Sequence, residues 1–190
     1  MSLLELNPRK TALVVIDLQN AVVGRPIAPH SSAEIVERSA RLAKALREKG
    51  GTIVYVRVNI TDFIQLPVDV PPFGAGSAAP PPSASELLPE AGFQAGDALI
   101  TKRHWGAFAG TELEQVLKDR DVDTVVLTGI ATNVGVESTA RQGTGLGFAF
   151  VVVEDACGAM DEESHRYSFE KIFPRLARVR TADQVIAALA

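Results

Sequence analysis

Short apolar runs alternate with longer amphipathic stretches along this chain, and that alternation constrains its fold more than any other feature. Five runs rich in β-branched residues are typical of strands, with a weaker one around Val179; they cover residues 13–16, 53–58, 98–101, 124–128 and 148–153. Runs that are apolar throughout indicate strands buried on both faces. Parallel strands need crossover connections, which place helices over both faces of a sheet. The sequence therefore predicts an α/β fold, a three-layer α/β/α sandwich around a mostly parallel sheet.

Three of the helical stretches begin with a serine or threonine that is followed three residues later by a glutamate or glutamine. The pairs are Ser31 with Glu34, Thr111 with Glu114, and Thr181 with Gln184. This spacing is typical of a capping box, in which the two side chains accept hydrogen bonds from backbone N–H groups at the start of a helix. We therefore expect a helix to begin at each place, and the first helix to end at the Gly50-Gly51 pair.

One long segment, residues 59–97, breaks the alternation. It holds seven of the eleven prolines, including Pro71-Pro72 and Pro80-Pro81-Pro82. This is too much proline for a regular helix or strand. A loop of this length in a compact domain is a lid, an oligomer arm or an insertion without a role, and the sequence leaves these alternatives open. No shift in composition calls for a domain boundary, so we expect one domain over residues 1–190.

Length, composition and charge exclude several classes of protein. With 190 residues, 46% of them hydrophobic, the chain can bury a substantial core. The formal charge of −4 comes without a block of basic residues, which argues against nucleic acid as a partner. The first ten residues lack the apolar core of a signal peptide, and no apolar run is long enough to span a bilayer. We expect a soluble, cytoplasmic protein that acts on a small molecule and has no membrane partner.

Polar residues follow three of the predicted strands, at the edge of a parallel sheet where ligands bind. Asp17 follows the first strand, although a lone aspartate there is more often a helix cap. Lys102 follows the third, although it could be a surface cation above Trp105 and Phe108. The turn 128–138 follows the fourth, and backbone amides at such a helix start favour an anion. An acid, a cation and an amide-lined turn at one edge together indicate a catalytic or binding site.

The segments that carry these residues resemble the three signature regions of the isochorismatase-like cysteine hydrolase superfamily. They read Val15-Ile16-Asp17-Leu18-Gln19, Lys102-Arg103-His104-Trp105-Gly106-Ala107-Phe108 and the stretch 129–140. The resemblance continues through Val153-Glu154-Asp155-Ala156 and Arg178-Val179-Arg180-Thr181, so it spans nearly the whole chain. It implies a six-stranded parallel sheet, homo-dimers or homo-tetramers, and a hydrolase site built on the aspartate and the lysine.

The third catalytic position of the superfamily departs from its amidase members. Those enzymes have a nucleophilic cysteine there, and the matching residue of this chain is Gly135, so no acyl-enzyme can form at this position. True isochorismatases resemble this chain in having glycine, and they cleave a vinyl ether by protonation and attack of water. The resemblance therefore implies a non-covalent hydrolase with Asp17 as general acid or base and Lys102 as its electrostatic partner. The alternative is a catalytically silent relative that binds a ligand or serves as a scaffold.

Around this centre we expect substrate contacts, which we assign to Ile130, Ala131, Asn59, Trp105 and Phe108. The resemblance implies a cis peptide near Ile130-Ala131 that aims backbone amides at an oxyanion. Isochorismatases have glutamine where Asn59 aligns, so the resemblance to them is incomplete at this position. Isochorismate is therefore a candidate substrate and not a deduction from the sequence. A neighbouring lysine lowers the pKa of a carboxyl group and burial raises it. Protonation of a vinyl ether requires burial to dominate, whereas activation of water suits the lysine-paired carboxylate.

The remaining chemically active residues carry weaker signals. Cys157 is the only cysteine and follows the fifth predicted strand, but no histidine or basic residue adjoins it. We therefore interpret it as a small buried residue and not as a relocated nucleophile. His30, His104 and His165 are scattered without the spacing of metal ligands, so we predict no metal site and no cofactor. The glycines of residues 143–147 close a helix, which argues against a dinucleotide-binding fingerprint.

Overall fold

A computed structural model describes residues 4–71 and 80–189 of the chain. At its centre lies a six-stranded sheet in which every pair of neighbouring strands is parallel. In chain order the strands are β1 (Thr11–Ile16), β2 (Thr52–Val58), β3 (Ala98–Lys102), β4 (Thr124–Ile130), β5 (Ala149–Gly158) and β6 (Arg178–Arg180). The prediction of a parallel α/β sheet with six strands is confirmed.

The strands lie in the order β3-β2-β1-β4-β5-β6, so the order reverses between β1 and β4. The chain builds the sheet in one direction from β1 to β3 and in the other direction from β4 to β6. In open α/β sheets the ligand crevice lies at this reversal, beyond the carboxyl ends of the strands. Asp17 directly follows β1, and the topology therefore places it at the crevice.

Helices cover both faces of the sheet, as the crossover connections require. They are α1 (Asn20–Val23), α2 (Ser32–Glu48), α3 (Leu113–Asp119), α4 (Glu137–Gly145), α5 (Glu162–Tyr167) and α6 (Ala182–Ala188). Leu42 of α2 and Val185 of α6 pack into one apolar cluster, and Leu117 of α3 and Ala140 of α4 pack into the other. The sheet separates these two cores, which gives the three predicted layers.

Two of the three predicted capping boxes are present, at the starts of α2 and α6. The prediction of a capping box at Thr111 is wrong. The Thr111 hydroxyl donates to Ala107 O at 2.5 Å and accepts from Leu113 N at 3.2 Å. Because the loop holds this hydroxyl, α3 begins only at Leu113, with Glu112 as its N-cap. The predicted end of α2 is confirmed, since Gly50 adopts a positive φ of 76° after the last helical residue.

The proline-rich loop contains no α-helix and no strand within residues 59–71 and 80–97, as its composition predicts. It forms short 3-10 turns at Ile60–Asp62, Pro82–Ser85 and Pro89–Ala91, while Pro72 and residues 73–79 lie outside the described residues. The buried amide of Gln19 ties the loop to the end of the sheet. It donates to Val58 O at 3.0 Å and to Ala84 O at 3.1 Å, and accepts from Val58 N at 2.7 Å.

Strand β5 extends further than the apolar run that predicted it. It continues through Gly158 after a change of register opposite β4, so Cys157 lies inside the strand and not beyond its end. Its side chain is buried, as predicted, with Sγ 4.0 Å from Leu127 O, and burial raises the pKa of the thiol. Within the described residues, no helix is both long enough and apolar enough to cross a membrane.

Candidate active site

Asp17 and Lys102 form a buried ion pair at the carboxyl edge of the sheet. The distance from Lys102 Nζ to Asp17 Oδ2 is 2.7 Å, and the two side chains are 1% and 8% exposed. Asp17 follows β1 and Lys102 ends β3, with β2 between these strands. The parallel sheet places both residues at the same edge, and the long side chain of Lys102 reaches past β2 to Asp17.

The backbone of Asp17 adopts a left-handed conformation with φ at 53°. This region is disfavoured for residues with a side chain, and aspartate tolerates it better than most. Two hydrogen bonds hold the turn: Asp17 N donates to Val56 O at 2.9 Å, and Gln19 N donates to Asp17 O at 2.8 Å. Unfavourable backbone geometry held by its surroundings is often found at functional sites.

The two carboxylate oxygens of Asp17 have different surroundings. Oδ2 accepts from Lys102, whereas the buried Oδ1 makes no hydrogen bond with the described part of the chain. Lys102 Nζ also donates to Trp105 O at 2.7 Å, so these contacts use two of its three N–H groups. A buried acceptor without a partner is costly, and in native structures it usually has a functional reason. Oδ1 thus has unused hydrogen-bonding capacity.

Burial raises the pKa of the Asp17 carboxyl above its ordinary value, and it is the strongest of the influences on that group. Lys102 acts in the opposite direction, through its charge and its hydrogen bond to Oδ2. The Val58 amide also favours the charged form, although its own hydrogen bond goes to Gln19 Oε1 at 2.7 Å. Because burial prevails, Asp17 keeps its proton to a higher pH than an exposed aspartate does.

Gly135 lies beside this ion pair, in the π-helical turn Thr132–Val136 that joins β4 to α4. A Cβ atom on Gly135 would lie 3.3 Å from Lys102 Nζ and 3.4 Å from Asp17 Oδ2. The Thr139 hydroxyl holds the turn from below, because it donates to Gly135 O at 2.7 Å and accepts from Ala107 N at 3.0 Å. The peptide bond between Ile130 and Ala131 at the start of this turn is cis, as the resemblance implied.

The ion pair and the turn line one cavity of about 220 Å³. Its wall consists of Asp17, Ala21, Val22, Arg25, Val58, Ile60, Lys102, Trp105, Ile130, Ala131, Val134, Gly135 and Met160. A larger groove of about 750 Å³ runs along α2, but its charged side chains, such as Glu37 and Lys44, are not buried. The smaller cavity holds the buried ion pair and is therefore the candidate active site.

The structure brings three of the five expected substrate contacts to the cavity, Ile130, Ala131 and Trp105. Asn59 does not line it; its Oδ1 accepts from Thr61 Oγ1 at 2.8 Å, and its neighbours in sequence line the wall instead. Phe108 is also absent from the wall, because it packs in the core against Phe148 with the ring centroids 5.8 Å apart. Asn59 and Phe108 therefore lie outside the wall of this cavity, and their contacts with substrate stay predictions.

Several residues of the wall were missed in the sequence, among them Arg25 and Met160. Arg25 is exposed at the cavity, and its guanidinium has no ion pair or hydrogen bond with the residues that the structure describes. It follows α1, a helix of only four residues, so no periodic pattern marks it. Its closeness in sequence to Asp17 is the one signal that could have suggested it.

Comparison with known proteins identifies the same family along nearly the whole chain. The family model described as the isochorismatase domain matches residues 11–184. An uncharacterized isochorismatase family protein of Escherichia coli O157:H7 is 43% identical over 199 residues, which cover 98% of this chain and 100% of that protein. The solved structure of an isochorismatase family protein from Burkholderia thailandensis superposes with a TM-score of 0.91 at 39% identity, covering 99% of each chain.

A relative with a named activity is more distant. The ureidoacrylate amidohydrolase of Cronobacter sakazakii is 31% identical over 173 residues, which cover 78% of this chain and 75% of that enzyme. The similarity therefore includes proteins whose names specify cleavage of an amide as well as proteins named only for the family.

Proposed function

The chain belongs to the isochorismatase family of hydrolases, and from this premise we propose that it cleaves a small anionic metabolite without forming a covalent intermediate. The observation that carries the proposal is that the two carboxylate oxygens of Asp17 differ in their hydrogen-bond partners. Lys102 holds Oδ2 at 2.7 Å, while the buried Oδ1 is left for a proton or a substrate. Asp17 therefore acts as the general acid or base, and Lys102 as its electrostatic partner.

The direction of the Asp17 pKa shift favours the acid role. Burial outweighs Lys102 and raises the pKa of the carboxyl, and a raised pKa is what a carboxylic acid needs to deliver a proton near neutral pH. This supports cleavage of a vinyl ether over activation of water for attack on a carbonyl group. Isochorismate, which contains such an ether, is the first substrate to test.

The reaction then proceeds in three steps. Asp17 transfers its proton to the terminal carbon of the C=C bond, which leaves an oxocarbenium ion. Water adds to the carbon that bears the ether oxygen and gives a proton to the Asp17 carboxylate, which restores the acid. The hemiketal then collapses to a ketone and the free alcohol as its hydroxyl proton passes to the departing ether oxygen. Lys102 stays charged throughout and stabilises the Asp17 carboxylate that forms in the first step.

The absence of a thiol from the cavity wall supports a route without an acyl-enzyme. The position beside the ion pair is Gly135, and the only cysteine of the chain, Cys157, lies inside β5 and outside this wall. Burial also raises the pKa of the Cys157 thiol, which disfavours the reactive thiolate. Attack by sulfur, as in a cysteine amidohydrolase, therefore has no group to perform it here.

The cavity also supports an anionic substrate. Arg25 places an unpaired guanidinium at a wall that otherwise consists mostly of apolar side chains such as Val22, Val134 and Met160. A guanidinium binds a carboxylate through two parallel hydrogen bonds. A volume of about 220 Å³ limits the enclosed part of the substrate to a small metabolite.

Turnover by the purified protein tests this proposal. We expect cleavage of isochorismate or another enol ether, and no cleavage of amides, esters and ureides. Asp17→Asn should lower kcat by about 10²–10⁴-fold because it removes the general acid. Glu37→Gln is a matched control, because it removes a carboxylate from the groove along α2 and should leave the rate unchanged. Equal rates for Asp17→Asn and the wild type would contradict the role of Asp17.

The second candidate is a catalytically silent member that binds a ligand or serves as a scaffold, which the glycine at position 135 also permits. It predicts no turnover of any substrate class but retention of a small molecule by the purified protein. Mass spectrometry of the denatured protein would identify such a ligand. Assembly as a homo-dimer or homo-tetramer and a cytoplasmic location stay predictions, and light scattering tests the first.

A further inference from the structure

A second cluster of polar side chains lies beside the turn that carries Gly135, and the proposed reaction does not use it. Glu154 Oε1 lies 3.2 Å from His30 Nε2 and 3.2 Å from His165 Nε2. These three atoms all lie within 4.8 Å of one another. Spacing along the chain predicted no metal site, but the fold brings two of the scattered histidines onto one carboxylate.

The three side chains form a set of ligands that suits a divalent transition-metal ion. Imidazole nitrogen and carboxylate oxygen bind zinc at about 2.0–2.2 Å, and two histidines with one glutamate are an established zinc ligand set. Ligand atoms at that radius in a tetrahedron are about 3.3–3.6 Å apart. The separation of 3.2 Å between Glu154 and each imidazole is close to that spacing. The two imidazole nitrogens lie within 4.8 Å of each other, so the rings would have to approach each other to bind one ion.

The other nitrogen of His165 has a partner that fixes the ring for this role. His165 Nδ1 lies 2.9 Å from Thr132 Oγ1, and both groups are buried. A threonine hydroxyl can accept the Nδ1 proton, which leaves Nε2 free to bind a metal. Metal-binding histidines nearly always have such a second hydrogen bond, which orients the ring.

The three ligands come from separate elements that other contacts hold in place. His30 precedes α2, Glu154 lies on β5 and His165 lies on α5. The loop of His30 is anchored because Ala28 and Ala159 exchange two backbone hydrogen bonds of 2.9 Å each. His165 is 3% exposed, whereas His30 and Glu154 are 23% and 36% exposed. The cluster is thus open to solvent on one side, where an ion could enter and water could be a fourth ligand.

We propose that His30, Glu154 and His165 bind one divalent transition-metal ion, with zinc as the ion to test. The ion would link β5, α5 and the segment before α2. Through Thr132 it would also steady the turn that places Gly135 beside Asp17 and Lys102. The role is therefore to position the wall of the cavity, and the ion takes no part in the cleavage proposed above.

Metal binding by the full chain, freed of any affinity tag and of metal by chelation, tests the site. We expect zinc added against a chromophoric competitor to bind in one equivalent. His30→Gln should weaken this binding by more than about tenfold, as should His165→Gln. His104→Gln is the matched control, because His104 lies outside the cluster and packs near Phe63, and it should leave zinc binding unchanged.

Two further measurements keep the test decisive. His30 is partly exposed, so His30→Gln should fold even where the buried His165→Gln does not. Zinc at a hundredfold excess over its wild-type Kd should raise the Tm of the wild type by about 5–10 °C, and that of His30→Gln by at most about half as much. Cobalt in place of zinc should show d–d absorption without a thiolate charge-transfer band, since Cys157 is not a ligand.

The outcome that overturns the proposal is equally clear. Zinc binding or a Tm shift that is the same in the wild type, His30→Gln and His104→Gln would place the ion elsewhere on the surface. No binding by the wild type would leave the cluster as a set of hydrogen bonds only. Neither result bears on Asp17, so the proposed hydrolysis stands or fails separately.

Discussion

Removal of Lys102 should destabilise the protein, and the loss should depend on pH. Lys102→Met keeps most of the length of the side chain but leaves the Asp17 carboxylate buried without a partner. Breaking one side of a buried ion pair costs about 3–5 kcal/mol of unfolding free energy. Both side chains are less than a tenth exposed, so solvent screens little of this effect. We expect a loss of that size at pH 8.

The loss should shrink as the pH falls, because protonation removes the unpaired charge. Burial already raises the pKa of Asp17 above 3.8 in the presence of Lys102, and removal of the lysine raises it further. A carboxyl with a raised pKa in the folded state contributes stability that is fully present below its unfolded pKa. That contribution is lost as the pH rises through the folded pKa. Lys102→Met should therefore be closer to the wild type at pH 5 than at pH 8.

Urea unfolding followed by circular dichroism at pH 5, 6.5 and 8 measures these differences. The double variant Asp17→Asn/Lys102→Met is the control, because it also loses the hydrogen bond from Lys102 to Trp105 O. Its comparison with Lys102→Met isolates the unpaired charge. We expect the double variant to lose less stability than Lys102→Met, because it leaves no buried charge without a partner. A loss in Lys102→Met that is equal at all three pH values, or equal to that of the double variant, would refute the reasoning.

Three further substitutions test the geometry of the cavity. Gly135→Cys should place a thiol beside the ion pair, where iodoacetamide modifies it, while mass spectrometry should show no adduct at the buried Cys157. Arg25→Ala should raise the KM for anionic substrates about tenfold and leave kcat within about twofold, because the guanidinium binds the substrate and does not react. Gly129→Ala should lower the free energy of unfolding by at least about 3 kcal/mol, which urea titration would detect. Gly129 has φ at 120°, and a Cβ atom there would lie in contact with Ile16 O.

The sequence predicted the sheet because its strands are apolar on both faces and the helices carry local start signals. It underestimated β5, since Glu154 and Asp155 interrupt the apolar run inside the strand. Their partners come from distant elements: Asp155 Oδ1 accepts from Ala182 N at 2.7 Å, and Glu154 contacts two histidines. Such pairs join residues that are far apart in the sequence, so no local sequence pattern predicts them.

The site was predictable where strand ends fix it and not where loops do. Asp17 directly follows β1 and Lys102 is the last residue of β3, so the rule for parallel sheets places both at the same edge. Arg25 and the course of residues 59–71 depend on how the loop packs, which Gln19 decides through long-range hydrogen bonds. The left-handed backbone of Asp17 was equally invisible, because aspartate adopts both conformations.

Transfer of a proton from Asp17 to carbon is the central claim, and turnover of isochorismate in D₂O tests it most directly. We predict that the wild type releases a product with one solvent deuterium on the carbon that was the terminal alkene carbon. We also predict that Asp17→Asn forms this product at least about 10²-fold more slowly. Undiminished formation of the deuterated product by Asp17→Asn, or cleavage by the wild type without deuterium at that carbon, would contradict the account.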